Sequence, residues 1–329
     1  MTVAVRGIGS IGARHIAVIR DVLKLQPVAV PVRANRIGDL EAKGYRVLPE
    51  LLRVNGPGPH VCIIATATER HVSDTEDALG KGYSVLVEKP LSHNTDGLRR
   101  LKDLTDASGL RVFVGCNLRF HHGLRKFREM LPNIGAVHSV RIECQSYLPD
   151  WRPDSDYRTS YSARKGTGGV LLDLIHEIDY ALWLFGRPEK VLAELQNSGR
   201  LGIESEDMAD LLWRSPSGAS MSVHLDYLTR RTRRKMMAMG AEGALEWDAI
   251  GGSVRLTPNL GEEQLFSIQQ DRDAMYRDQA EAFLQVVAGG NPGNLATFDE
   301  GANSVALCDA ARRSSQSRRE EPIIDWKKG

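Results

Sequence analysis

An aspartate and a histidine stand three residues apart in an otherwise apolar segment, GTGGVLLDLIHEIDYALWLFG, at residues 166–186. On a helix, Asp173, His176, Glu177 and Tyr180 fall within an arc of about 100°, and apolar residues cover the opposite side. A carboxylate beside an imidazole can fix its tautomer and raise its basicity, as a general base near neutral pH requires. The segment therefore predicts one wall of a proton-transfer site. The alternative is a buried Asp–His pair that only closes a hydrogen-bond network.

A glycine-rich turn follows directly on the first apolar strand. Gly7, Gly9 and Gly12 form the pattern GxGxxG, with Ser10 and Ile11 between the last two glycines where a helix opens. In this context the glycines permit a tight turn, close approach of the backbone to a pyrophosphate, and close packing of helix on strand. The pattern predicts a dinucleotide site. The alternative is a glycine turn in a Rossmann-like fold that binds no cofactor.

The end of the second strand bears on the choice between NAD and NADP. An acid about 20 residues after the glycine loop usually holds the ribose 2′-hydroxyl of NAD, but VAVPVRANR (28–36) contains none. Arg33 and Arg36 stand there instead, and guanidinium groups suit a 2′-phosphate. NADP is therefore favoured over NAD, unless both arginines are solvated surface residues.

The elements that must position these residues follow two different patterns. Up to residue 118, apolar strands alternate with helices through short connections, which predicts a doubly wound parallel sheet. Beyond it, consecutive strands with period-two alternation predict a mostly antiparallel sheet with flanking helices. We therefore predict an α/β chain with a dinucleotide-binding Rossmann domain at 1–118 and an α+β substrate-binding and oligomerisation domain at 119–329. The C-terminal helices are free to pack back on the first domain.

Composition excludes several other classes of protein. The 329 residues carry a formal charge of only +1, which gives no global field to recruit nucleic acid or an anionic membrane. No apolar run approaches the roughly 20 residues needed to cross a bilayer. The N-terminus lacks the layout of a signal peptide, so we expect a cytoplasmic protein. The cysteines are scattered without a CxxC pair, which predicts reduced, mostly buried thiols and no metal site; they are Cys62, Cys116, Cys144 and Cys308.

Three stretches together resemble the Gfo/Idh/MocA (glucose–fructose oxidoreductase / inositol dehydrogenase) family. They are the glycine loop, VEKPLS (87–92) and GGVLLDLIHEID (168–179). IATATERH (64–71) is similar to the family's nicotinamide-side strand end, and NLRF (117–120) to its N-x-R-F. The likeness runs over nearly the whole chain.

This sequence departs from the family pattern at two points. Thr167 stands in the first place of the family's glycine triplet, and Asp173 and His176 are three residues apart where the family usually has four.

The resemblance implies a Rossmann domain, a C-terminal domain with an open, largely antiparallel sheet, and NAD(P)-dependent hydride transfer at a secondary alcohol or ketone of a sugar, cyclitol or anionic sugar derivative. It implies that Lys89 lies beside the nicotinamide and the reacting hydroxyl and polarises its oxygen, while His176 takes the proton with Asp173 beside it. Further cofactor contacts are expected at Thr66, His71, Glu88, Lys89 and Asn117. Since members are commonly dimers or tetramers built through that sheet, we expect a homodimer or homotetramer.

The loop that leads into the Asp–His segment, DWRPDSDYRTSYSARKGTGG (150–169), offers candidate contacts to such a substrate. Its aromatic residues present flat faces to sugar C–H groups, and its arginines present forks for an anion. The full predicted substrate set is Lys89, Arg119, Trp151, Arg158, Tyr161, Arg164, Asp173, His176 and Tyr180. The basic run 230–235 is interpreted as a solvated strand edge or, alternatively, as a site for a substrate carboxylate or phosphate.

Two other functions compete with a dehydrogenase. One is an epimerase or oxidoreductase that retains its cofactor tightly through each cycle. The other is a non-catalytic sensor of dinucleotide or sugar, although the presence of Lys89, Asp173 and His176 together argues against it, because a sensor needs no proton-transfer groups.

Overall fold

The computed structural model describes residues 2–55 and 59–328. Its strands are β1 Thr2–Arg6, β2 Val28–Val30, β3 Arg46–Val47, β4 His60–Ile64, β5 Ser84–Val87, β6 Val112–Val114, β7 Val137–Gln145, β8 Lys190–Gln196, β9 Met208–Arg214, β10 Ser220–Asp226, β11 Arg233–Gly240, β12 Gly243–Asp248, β13 Ser253–Pro258, β14 Gln264–Ser267, β15 Ala296–Thr297 and β16 Glu321–Pro322. Its α-helices are α1 Ser10–Ala17, α2 Ile37–Ala42, α3 His71–Gly80, α4 Leu98–Ser108, α5 His122–Met130, α6 Val170–Asp173, α7 Ile175–Phe185, α8 Arg272–Val287 and α9 Phe298–Ser317.

The first sheet has the order β15-β6-β5-β4-β1-β2-β3. Its pairings are parallel except at the edge, where β15 runs antiparallel to β6. Strands β2, β5 and β6 are buried along their whole length, as strands covered on both faces must be. The order reverses between β1 and β4, which is where doubly wound sheets form a ligand crevice at their carboxyl ends. The predicted Rossmann fold is confirmed.

The helix α8 belongs with this first sheet although it comes late in the sequence. The ring of Phe283 packs edge-on to that of Phe113, with 6.2 Å between the ring centroids, and Val286 joins the same apolar core. Compact unit one accordingly contains the described residues of 1–120, 271–302 and 326–329, and unit two contains 121–270 and 303–325. Helix α8 joins unit one because its apolar face completes the Rossmann core.

The second sheet has the order β14-β13-β12-β11-β7-β10-β9-β8-β16. It is antiparallel apart from the pairing of β7 with β10, so the prediction of a mostly antiparallel sheet is confirmed. Burial alternates residue by residue along β8, β9 and β10, which is typical of strands with one packed face and one exposed face.

The basic run 230–235 ends on strand β11, which lies between β12 and β7 inside this sheet. The strand that ends the run is therefore not an edge strand, although Arg230, Arg231 and Arg233 are exposed, as expected of a solvated run. Charge suggested an edge strand, but alternation of burial within one strand carries no information about how many neighbours it has. Within the described ranges, no helix combines the length and apolar character that a membrane span needs.

Candidate active site

The predicted cofactor residues of unit one follow the carboxyl ends of four neighbouring strands. Gly7 follows β1, Thr66 follows β4, Glu88 and Lys89 follow β5, and Asn117 follows β6. The loops leave the sheet in register: the amide of Ala65 donates to the Arg6 carbonyl at 2.8 Å, and that of Glu88 to the Ile64 carbonyl at 2.8 Å. The parallel topology thus brings these positions to a single edge of the sheet.

The three glycines of the loop are required for different reasons. Gly7 has φ +90°, and a Cβ there would lie 2.7 Å from the carbonyl oxygen of Ala65. A Cβ on Gly12 would lie 1.9 Å from the carbonyl oxygen of Gly7. A Cβ on Gly9 would meet no protein atom within 4 Å, so packing does not demand glycine there. Close approach of a pyrophosphate does, and the loop therefore fits a dinucleotide.

A cavity of about 260 Å³ lies beside the glycine loop. Its lining residues are Ile8, Gly9, Ser10, Ala13, Arg36, Leu40, Lys43 and Tyr45. It brings Arg36 together with Lys43, a second cation that the sequence analysis missed. The sequence contains a signal for this cation, because Arg36 directly precedes helix α2 and Lys43 directly follows it. Arg33, predicted alongside Arg36, is exposed and lies outside this lining.

Glu88 is joined to the helix of the glycine loop by a histidine that the sequence analysis also missed. The Nε2 of His15 lies 2.7 Å from the Oε1 of Glu88, and His15 is fully buried. Its position was readable from helix periodicity, because Gly12, His15 and Ile16 form the buried side of α1. The bond ties the glycine helix to the residue that precedes Lys89.

Two predicted contact residues have internal roles in unit one. The Nδ1 of His71 lies 2.7 Å from the Pro90 carbonyl oxygen, and its Nε2 lies 3.1 Å from that of Thr66. Burial lowers the pKa of His71, and because a neutral ring has one N–H, it donates to one of these two carbonyls. Arg119 is buried and donates from Nη1 to the Glu300 carboxylate at 2.9 Å. The ion pair gives Arg119 a partner inside unit one, and its predicted contact with substrate stays a prediction.

In unit two, the segment that was projected as one helix is interrupted. Helix α6 ends at Asp173, α7 begins at Ile175, and Leu174 between them has φ −96° and ψ 28°. The projection of Asp173 and His176 onto one continuous helix is therefore wrong. The rotation of each short helix about its axis depends on the side chains that it packs against. Periodicity within the segment does not contain that information.

The glycines before α6 explain one departure from the family pattern. A Cβ on Gly168 would lie 1.9 Å from the Tyr161 carbonyl oxygen, and Gly169 has φ +93°. Thr167 is not among the residues with positive φ, so its backbone accepts a side chain where the family has glycine.

Asp173 lies in a buried cluster of aromatic residues. The hydroxyl of Tyr227 donates to its Oδ2 at 2.5 Å. Burial, together with the charge of Asp173, raises the pKa of Tyr161 and Tyr227 well above the usual value. The indole of Trp151 packs edge-on to Tyr227 at 5.4 Å. The structure thus brings the predicted residues Trp151, Tyr161 and Asp173 together around Tyr227, which the sequence analysis missed.

The remaining residues of the projected polar face separate in the structure. His176 is partly exposed, whereas Glu177 and Tyr180 are fully buried. Glu177 accepts a hydrogen bond from Nε of Arg234 at 2.7 Å, and Tyr180 packs edge-on to Trp247 at 5.6 Å. The prediction that Tyr180 contacts substrate is therefore wrong, since α7 turns this side toward the sheet.

The two predicted anion-binding arginines of the preceding loop are exposed. Arg158 stacks over the ring of Tyr157 at 4.8 Å, and Arg164 lies on the surface of the same loop. Their substrate roles stay predictions. All four cysteines are buried as expected. Across residues 2–55 and 59–328, no three side chains of His, Cys, Asp or Glu form a group that could hold a metal ion.

Two models of one protein family match successive parts of the chain. Residues 1–116 match the family model described as "Oxidoreductase family, NAD-binding Rossmann fold", and residues 125–246 match the GFO/IDH/MocA C-terminal domain. The first domain is thus the NAD-binding fold of an oxidoreductase. The chain belongs to the Gfo/Idh/MocA family.

Relatives and solved structures extend over three quarters or more of the chain. Myo-inositol 2-dehydrogenase of Thermotoga maritima is 26% identical over 97% of this chain and 97% of its own. The 1,5-anhydro-D-fructose reductase of Ensifer adhaerens is 25% identical over 77% and 76%. The WlbA dehydrogenase from Bordetella pertussis, solved with NADH and UDP-GlcNAcA, superposes with a TM-score of 0.82 at 19% identity, covering 99% of this chain and 98% of its own. At that identity the superposition shows the fold alone.

Proposed function

We propose that this protein is an NAD(P)-dependent dehydrogenase that acts on a secondary alcohol, or the matching ketone, of a sugar, cyclitol or anionic sugar derivative. The observation that carries the proposal is the edge of the first sheet, where a glycine loop open at Gly9 and the lysine of the EKP motif, Lys89, follow strands of the same parallel sheet. The inositol and sugar substrates in the names of the relatives support the substrate class.

Each residue in the proposed reaction does a separate task. A bound nicotinamide would exchange hydride with the carbinol carbon. His176 takes the hydroxyl proton during oxidation and returns it during reduction. The ammonium of Lys89 polarises the substrate oxygen and stabilises the negative charge that develops on it. Asp173 is the proposed carboxylate beside this proton-transfer group, and the hydroxyl of Tyr227 holds its side chain in place.

NADP is the proposed preferred cofactor. Arg36 and Lys43 lie in the cavity beside Gly9, and two cations suit the extra phosphate of NADP better than the 2′-hydroxyl of NAD. An acid that would hold that hydroxyl is lacking from residues 28–36.

The proposal is tested by supplying sugars, cyclitols and anionic sugars with each cofactor and following reduced nicotinamide by its absorbance. We expect turnover with at least one polyol or sugar, and a loss of about 100- to 10,000-fold in kcat for His176→Ala. His138→Ala, which changes an exposed histidine of β7, is the matched control. Cofactor binding without turnover of any substrate would point instead to a sensor. Cofactor that survives desalting would indicate an internal redox cycle.

A further inference from the structure

One arginine of the basic run 230–235 lies on the packed face of strand β11. Along β11 the side chains of Arg234, Met236 and Ala238 share a face, and the latter two are fully buried. Arg234 also lies directly opposite the buried Cys144 of β7 in the strand register. A guanidinium therefore occupies the first position of an otherwise apolar row. The rest of the run does not share this direction, since Lys235 pairs with Asp248 of β12 at 2.8 Å.

The partner of Arg234 is the residue that follows His176 in the chain. Nε of Arg234 donates to Oε1 of Glu177 at 2.7 Å, and the side-chain exposures are 24% for the arginine and 0% for the glutamate. Burial and the nearby charge of Glu177 raise the pKa of Tyr180 well above its usual value, so a protonated phenol borders the pair. Glu177 lies in the first turn of α7, where the helix dipole favours a negative charge.

Folding stability alone does not account for such a pair. Removing two charges from water is costly, and replacing a buried ion pair by apolar residues of similar size is often neutral or stabilising. The cost of burying this pair is better explained by the position that the pair gives to α7.

The interruption at Leu174 leaves the rotation of α7 to the contacts that α7 itself makes. Because the helix is broken there, the orientation of α6 does not set the rotation of α7 about its axis. Consecutive helix residues diverge by about 100°, so fixing Glu177 also fixes the direction in which His176 projects. Asp173, on the other side of the break, is held independently by Tyr227 of the segment that follows β10.

We propose that Arg234 and Glu177 are positioning residues for His176. The ion pair sets the rotation of α7 on the sheet and thereby aims the imidazole, while Tyr227 sets the carboxylate of Asp173. This inference rests on the proposed role of His176 in proton transfer.

The test compares a variant that keeps the contact between residues 234 and 177 with a variant that keeps the folding stability but loses that contact. Glu177→Gln retains an oxygen acceptor for Arg234 but leaves the guanidinium without its counter-charge. It is expected to melt at a lower temperature and to retain most of the wild-type kcat. The double variant Glu177→Leu with Arg234→Met removes both charges. It is expected to melt at or above the wild-type temperature, and its kcat is expected to fall about 10- to 100-fold with little change in the KM for substrate.

Two further measurements make the outcome decisive. Lys235→Met, the matched control from the same run, is expected to keep the wild-type kcat. The NMR resonances of the His176 imidazole, assigned from their loss in His176→Ala, are expected to shift in the double variant and stay in place in the control. This readout requires neither cofactor nor turnover.

The inference is overturned if the double variant recovers kcat together with its melting temperature, or if the His176 resonances do not move. If the double variant fails to fold, Glu177→Gln decides alone, and a loss of kcat that parallels its loss of stability overturns the inference. Wild-type kcat in His176→Ala would instead remove the proposed function. The two failures are distinguishable. The kcat of His176→Ala tests the role of His176 in proton transfer, whereas the imidazole resonances of the other variants test how His176 is positioned.

Discussion

Tyr227 donates its hydroxyl to a carboxylate that is itself buried, so the bond at 2.5 Å to Asp173 has consequences for folding as well as for the proposed chemistry. Tyr227→Phe leaves the ring in place against Trp151 and removes only the donor. We expect the free energy of unfolding to fall by about 1–3 kcal/mol, because a buried acceptor loses a hydrogen bond.

Denaturant titration measures this change, and Tyr147→Phe is the control, since that hydroxyl lies beside the exposed Arg230. Equal stability of wild type and Tyr227→Phe would contradict the assignment of Tyr227 as the residue that holds Asp173.

Arg36 and Lys43 provide the second prediction for single residues. Replacing either by Ala is expected to weaken NADPH binding about tenfold, the equivalent of about 1.4 kcal/mol, because each cation faces the cavity beside Gly9. NADH binding should change little, since NADH lacks the 2′-phosphate. Titration calorimetry with both reduced cofactors measures the difference, and Arg33→Ala, outside the cavity lining, is the control. An equal loss for both cofactors would argue against a 2′-phosphate site.

Side chains were predictable where a motif fixes the backbone around them and were missed where a distant residue decides. Gly7, Gly9 and Gly12 could be assigned one by one because the strand–turn–helix context is local. The ion pair of Arg119 was missed because its partner, Glu300, lies far along the chain.

At the scale of elements, the N-terminus of α5 depends on the protonation state of a histidine. His121 is its N-cap, and Nδ1 accepts a hydrogen bond from the amide of Gly123 at 3.0 Å. Burial first, and then the charge of Arg234, lowers the pKa of His121 from 6.5 to about 4. The unfolded chain therefore binds a proton at a higher pH than the folded chain does. The stability contributed by neutral His121 is complete above pH 6.5 and is lost as the pH falls toward 4.

His121→Asn keeps an N-cap acceptor but does not titrate. Between pH 7 and pH 4.5, we expect the wild type to lose about 2 kcal/mol more unfolding free energy than this variant. Urea unfolding at a series of pH values measures the difference, and the subtraction cancels the contributions of the other histidines. Parallel pH profiles for the two proteins would show that His121 titrates normally in the folded state.

Elements were predictable in type but less so in their surroundings. Period-two alternation identified the strands of the second sheet, because one face of each is packed. It did not show that β11 lies inside the sheet or that Leu174 breaks the helix, since both depend on neighbours far away in the sequence.

At the scale of the whole molecule, the order of element types predicted both architectures, because strand–helix alternation and strand–strand succession each permit few topologies. The place of α8 in the first unit was not fixed by that order. It depends on the packing of Phe283 against Phe113, which is far away in the sequence. Such a contact between side chains is not visible as a pattern within one segment.

We propose that the protein forms a homodimer or homotetramer through the exposed face of its second sheet, as the family resemblance implies. Several large apolar side chains are exposed on strands of this sheet: Leu192, Leu212, Met237, Met239 and Leu265. Leu192 and Leu212 lie directly opposite each other on neighbouring strands, and adjacent exposed apolar side chains can mark a protein interface.

Introducing charge into this surface should separate the subunits. We expect light scattering after gel filtration to give a multiple of the 36.4 kDa chain mass for the wild type and a smaller species for Leu212→Glu with Met237→Lys. Charges placed in an apolar interface lose their hydration. Leu260→Glu is the control, because that leucine is 91% exposed in the turn between β13 and β14, against 46% for Leu212. A double variant with unchanged mass would place the interface elsewhere, and a monomeric wild type would exclude it.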